Sequence, residues 1–205
     1  MKKIFYFLFL LLLFAAGSCI KNKLVTWNGA VAEIDLTAWN ANGPGVTYPF
    51  ITRVPAANRA LTSTCPDSTL RRYAGTIKVR INLVGGHSSK DETVGYTIFN
   101  SPVTTVAFPA TIGASASLGC PTAQTPAAGA ATLNVLDAVA GTHYAALSGT
   151  VTIPKDSSFG YINIQILNPG PTAGQARFLG IQLNNNGSLK QSVNYSQVGL
   201  FIDQR

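Results

Sequence analysis

Charge, histidine and cysteine are all in short supply in this sequence. Of its 205 residues 11% are charged, two are histidine and three are cysteine. Cys19, Cys65 and Cys120 show no C-x-x-C spacing, and with only His87 and His143 beside them a zinc site is not expected. There is no G-x-S-x-G, no H-E-x-x-H, no glycine loop opening a helix and no carboxylate pair evident at a strand mouth, so the common catalytic templates are missing and no enzyme activity or cofactor is expected. The longest apolar run, Ile4 to Phe14, falls short of the ~20 residues that a bilayer core requires, which excludes a transmembrane helix there. Basic residues are scattered except for Arg71, Arg72, Lys78 and Arg80. Lys78 and Arg80 share one strand face, as expected of a solvated surface.

What is present begins with an export signal. Lys2 and Lys3 precede the apolar run, and Ala15, Ala16, Gly17 and Ser18 close it with small residues. Cys19 follows directly, and "AAGSC" resembles a bacterial lipobox, although the pattern prefers Leu where Ala16 stands. The resemblance implies a signal peptide over residues 1–18, acylation of Cys19 and attachment to a membrane through that lipid. Loss of Lys2 and Lys3 with the signal lowers the formal charge from +7 to +5. An exported chain seldom meets nucleic acid, and none is expected as a partner. Ile20 after the cysteine resembles lipoproteins passed to the outer membrane, and the basic start "CIKNK" favours the periplasmic side, with the cell surface as the alternative. With Cys19 acylated, Cys65 and Cys120 remain as a pair in an oxidising compartment, which predicts a disulfide contributing roughly 4 kcal/mol in the chain-entropy model.

Hydrophobic periodicity is that of strands throughout. Asn28-Gly29 is a hairpin signal, and after it Ala32, Ile34 and Leu36 alternate with Glu33, Asp35 and Thr37, which predicts an N-terminal β-hairpin. Prolines 44, 49, 55 and 66 mark an irregular connection, so residues 19–75 are expected to be a hairpin and extension. From Thr76 the period of two is regular, with Ile77, Val79, Ile81 and Leu83, then Val94, Tyr96 and Ile98, predicted inward. Residues 101–132, rich in Ala, Gly, Ser and Pro, predict a long loop. Val151 and Ile153, Ile162 to Ile166, Leu179 to Leu183, and Val198 to Ile202 complete the alternating set. Short strands between Gly, Pro, Asn and Ser clusters predict an all-β, antiparallel two-sheet sandwich.

The elements "IKVRINLVG", "ETVGYTIF", Ala140-Gly141-Thr142-His143-Tyr144 and Gly149 to Pro154, followed by the strand Tyr161 to Leu167, resemble a Calx-beta type module and the related C-terminal domains of Gram-negative envelope lipoproteins. The resemblance spans about Thr76 to Asp203, apart from the 101–132 insertion. It implies an immunoglobulin-like sandwich over residues 76–205 without enzyme activity. In that family carboxylates bind calcium, whereas here His143, Asn168-Pro169-Gly170 and Arg177 stand at the matching positions. Asp137 alone remains nearby, so no metal is expected.

For function, a binding module is preferred to a purely structural spacer, and a hydrolase is least favoured. Trp27, Trp39, Tyr48 and Phe50 are the candidate ligand platform, because sugars stack on such rings, against the alternative that they are core. The expected partner is a glycan or an envelope protein met at the membrane surface. His87 and His143 are expected to be loop or strand-edge residues.

Overall fold

The computed structural model describes residues 29–36, 42–54, 69–108 and 131–205. The signal peptide, Cys19, Cys65, Cys120, Trp27, Trp39 and Asn28 lie outside the described residues.

Eleven strands are present among the described residues, without a helix, in two packed sheets. They are β1 (Val31–Ile34), β2 (Phe50–Ile51), β3 (Thr76–Val84), β4 (Glu92–Phe99), β5 (Thr105–Phe108), β6 (Ala131–Asp137), β7 (Thr150–Ile153), β8 (Phe159–Gln165), β9 (Gln175–Asn184), β10 (Lys190–Gln191) and β11 (Gln197–Asp203). The smaller sheet has the order β10-β1-β3-β8. The larger runs β2-β11-β9-β4-β7, with β6 beside β9 and β5 beside β6. Most pairings are antiparallel, but β1–β10, β2–β11 and β6–β9 are parallel.

The core follows from the alternation. Ala32 and Ile34, Ile77 to Leu83, and Ile162 and Ile164 point from the smaller sheet toward Val94, Tyr96, Val151, Ile153, Leu179, Ile181, Leu183, Val198, Leu200 and Ile202 of the larger one. Each large aliphatic side chain so buried contributes roughly 1.5–3 kcal/mol. A polar turn with Asp156 in the left-handed region at φ 58° carries the chain from β7 to β8 and so from one sheet to the other. The turn is held by hydrogen bonds from the Lys155 and Asp156 N–H groups to Asp91 Oδ1 and the Ser88 carbonyl.

Four expectations are corrected. The strand after Gly29 forms, but both its edges are occupied, by β3 through Val31↔Val84 to Ile34↔Ile81 and by β10 through Val31↔Lys190 and Ala32↔Gln191. It is therefore an internal strand of the smaller sheet, not one arm of a local hairpin. Strands on both sides of residue 75 build the sandwich, since β1 and β2 enter opposite sheets. The 101–132 segment is not wholly a loop: Thr105–Phe108 pairs with Ala131–Asn134, and residues 109–130 lie outside the described residues. Ile98 is 39% exposed, because β7 covers β4 only from Glu92 to Gly95 and leaves its far end at an edge.

The larger sheet also buries part of its outer face. Phe108, Leu133, Val135, Ala176, Phe178 and Phe201 form a second apolar cluster, joined by Phe50 and Phe99. The rings of Phe50, Phe99, Phe178, Phe201 and Tyr48 meet edge-on, with centroids 4.8 to 6.4 Å apart. Two glycines paired in register, Gly180 and Gly199, make room for them. A Cβ would stand 2.7 Å from the Phe99 ring at the first and 2.5 Å from the Phe178 ring at the second.

Candidate functional site

On β1 the inward pair Ala32 and Ile34 leaves Glu33 and, just past the strand, Asp35 on the outer face, because side chains two apart point the same way. The β1–β3 register sets Glu33 opposite Asn82. Asp35 is brought beside β3 by its N–H, which donates to the Arg80 carbonyl at 2.9 Å. Two connections border this surface. The segment before β11 is fixed to β1 by two backbone hydrogen bonds of 2.7 Å, from Ser192 N–H to the Ala32 carbonyl and from Ile34 N–H to the Tyr195 carbonyl, which hold Asn194 and Tyr195 along the β10 edge of the strand. The turn before β2 is closed by Gly43 N–H donating to the Tyr48 carbonyl at 2.8 Å, and Pro49 is tied to β11 through Gly199 N–H at 3.1 Å.

The result is a cleft of about 600 Å³ lined by Glu33, Asp35, Asn42, Thr47, Asn82, Asn194 and Tyr195 together with backbone and apolar atoms of Ile34, Leu36 and Pro49. Its volume falls in the range of small-molecule sites. Its chemistry is that of hydrogen bonding: two carboxylates that accept, three amides that both donate and accept, a hydroxyl, and a tyrosine that is 49% exposed.

The electrostatics are uneven. Arg80 Nε lies 3.5 Å from Asp35 Oδ2 and donates to Asn82 Oδ1 at 2.8 Å, while its guanidinium sits 4.1 Å above the Phe159 ring. Lys78 similarly covers the Tyr161 ring at 5.5 Å. Among the described residues no cation pairs with Glu33. Burial, and then the charge of Asp35, push its carboxyl above the usual value of 4.5.

The residues singled out in the sequence fall elsewhere. Tyr48 is buried and Phe50 partly so, and their rings belong to the aromatic cluster outside the larger sheet, not to an open platform. Burial raises the Tyr48 hydroxyl above its usual 10.0. Trp27 and Trp39 lie outside the described residues. His87 is exposed in the turn before β4. His143 is buried in the 140–144 turn, where its Nδ1 accepts the Val139 N–H at 3.0 Å. The Asp137 carboxylate accepts the Ser101 N–H at 2.7 Å.

No family model and no curated protein matches this chain. Among solved structures it is similar to the apo form of the Calx CBD1 domain, at 15% identity and a TM-score of 0.39, covering 66% of this chain and 88% of that one. The CBD12 pair from CALX1.2 is similar at 15% identity and TM-score 0.39 over 65% of this chain and 41% of that one. A Bacteroides ovatus protein provisionally described as carbohydrate-binding is similar at 10% identity and TM-score 0.36, over 66% of this chain and 33% of that one.

The alternation with Ala32, Ile34 and Leu36 marks Glu33 and Asp35 as outward, and Asn82 between the inward Ile81 and Leu83 is outward in the same way, but none of them was singled out from the sequence as a site residue. Nothing in the sequence indicated that these segments lie side by side.

Proposed function

We propose that this chain is a non-catalytic binding module whose ligand is a carbohydrate held in the cleft between β1, β3 and the Asn194–Tyr195 segment. The carrying observation is the lining itself, where Glu33, Asp35, Asn42, Asn82 and Asn194 converge within about 600 Å³ beside a half-exposed tyrosine ring. Sugar hydroxyls are donors and acceptors at fixed spacing. Carboxylates take them in charge-assisted hydrogen bonds, amides serve both directions, and a tyrosine face covers the apolar side of a pyranose. We place the module at the cell envelope, exported by residues 1–18 and anchored through Cys19, on the periplasmic side of the outer membrane. There the ligand would be an envelope or captured glycan.

The test is isothermal titration of the intact, detergent-solubilised protein with neutral hexasaccharides. Binding in the micromolar to millimolar range, weakened at least about tenfold by Asp35→Ala and by Tyr195→Ala, supports the reading. Absence of binding across a broad neutral panel would overturn it in favour of a spacer.

A further inference from the structure

The charge around the cleft is not balanced. Asp35 has a partner in Arg80, 3.5 Å away, and Arg80 is further committed to Asn82 at 2.8 Å and to the Phe159 ring. Glu33 has no cationic partner among the described residues. The charged groups sharing its face are Asp35 on its own strand, Arg80 and Lys78 on β3, and Lys190 on β10. Lys78 lies over Tyr161 on the β8 side, and Lys190 stands beside Val31, exposed to water that screens its charge. Glu33 itself is part-buried, and its carboxyl is already pushed up by burial and by Asp35. A ligand entering here meets one neutralised carboxylate and one that is not.

We infer that Glu33 makes this cleft selective for uncharged glycans and excludes uronate-containing ones. The inference rests on the carbohydrate reading above and adds the class of sugar. A neutral pyranose brings hydroxyl donors to both Glu33 oxygens and loses nothing electrostatically. A C6 carboxylate brings a second negative charge and no donor to an oxygen that can only accept. Arg80 cannot answer both charges, because turning to the ligand would strip Asp35 and Asn82 of their partner. A like charge about 6 Å from an unneutralised carboxylate, in a cleft of intermediate dielectric, lowers affinity by about tenfold.

Matched probes separate this inference from the reading beneath it. β-1,4-linked glucohexaose and mannohexaose are titrated against the intact protein alongside their C6-oxidised counterparts, which share linkage and shape and differ in charge. Tighter binding of a neutral hexaose by about tenfold is expected, with the ratio falling toward one in Glu33→Gln. Asp35→Asn, which frees Arg80 for the ligand, is a second variant that shifts the ratio the same way, and melting curves establish that both variants are folded. If a neutral and an oxidised hexaose bind within twofold of each other, or if the ratio is unchanged in folded Glu33→Gln, the charge selection is wrong while the carbohydrate reading stands. If no member of the broad neutral panel, these hexaoses included, binds, both are overturned.

Discussion

Arg71 and Asp203, separated by 132 positions in the chain, form a buried ion pair with Nη1 3.4 Å from Oδ2. Arg205 closes the other side of the same carboxylate, with Nε and Nη2 at 2.9 to 3.2 Å from its oxygens. The backbone is joined there too: Arg72 N–H donates to the Asp203 carbonyl at 3.0 Å, and Asp203 N–H to the Leu70 carbonyl at 2.8 Å. The end of β11 is thereby locked to the segment just before β3.

Removing the carboxylate leaves two guanidiniums together without their anion. Asp203→Ala is expected to lower unfolding free energy by about 3–5 kcal/mol in urea titrations. Replacing all three charged groups with apolar residues, Arg71→Met, Asp203→Leu and Arg205→Met together, is expected to cost clearly less than Asp203→Ala alone. Equal losses would show that the pair is not the source.

The aromatic cluster makes a steric prediction. A methyl group at Gly180 or Gly199 would meet the Phe99 or Phe178 ring, so Gly180→Ala and Gly199→Ala should each lower stability by about 1–3 kcal/mol. Gly86 has open space around its missing Cβ, and Gly86→Ala should change the urea midpoint little. In the same experiment Phe178→Ala should cost about 3–5 kcal/mol. Ile98→Ala, at an exposed sheet edge, should cost far less.

Stability should fall with acid in two stages. His143 is held below the ordinary imidazole value of 6.5 by burial and then by the Arg177 charge. Its unfolded form takes a proton first, so stability is present above pH 6.5 and is lost as pH falls toward the depressed value. Glu92 is held below 4.5 by hydroxyl hydrogen bonds from Ser188 and Ser88, so its contribution is present above 4.5 and lost as pH falls through its lower folded value. Glu33, raised, acts in the opposite sense: it favours the fold at acid pH and loses that contribution as pH rises through its folded value. Urea midpoints followed from pH 8 to pH 3 should therefore lose their first decline in His143→Gln. In a Glu33→Gln background the second decline should shrink in Ser188→Ala.

The cysteines carry two covalent predictions. Cells fed a labelled fatty acid should incorporate label into the wild-type chain and none into Cys19→Ala. In unreduced, thiol-blocked protein, mass spectrometry should find Cys65 and Cys120 joined. Alkylation of both would remove the bridge.

How far each feature could be read in advance depends on the range of the interaction that creates it. Alternation is a property of the extended backbone, so Ile77 to Leu83, Val151 and Ile153, Ile162 to Ile166, Leu179 to Leu183 and Val198 to Ile202 declare both their strands and their inward face without reference to the rest of the chain. From those runs the two-sheet sandwich follows. Partner choice has no such local signature. Gly29 suggested a hairpin because a tight turn is a local signal, yet both edges of β1 found their hydrogen bonds in distant strands, β3 and β10. Tyr48 and Phe50 had the composition of a sugar platform, but the fold supplied the seats formed by Gly43, Gly180 and Gly199, and the rings turned inward. Glu33 and Asn82 were each marked as outward by their neighbours. Only the β1–β3 register set them opposite one another, and only the Asn194–Tyr195 segment bonded along the edge of β1 completed a cleft with them, because backbone hydrogen bonding between remote strands decides which outward residues share a surface.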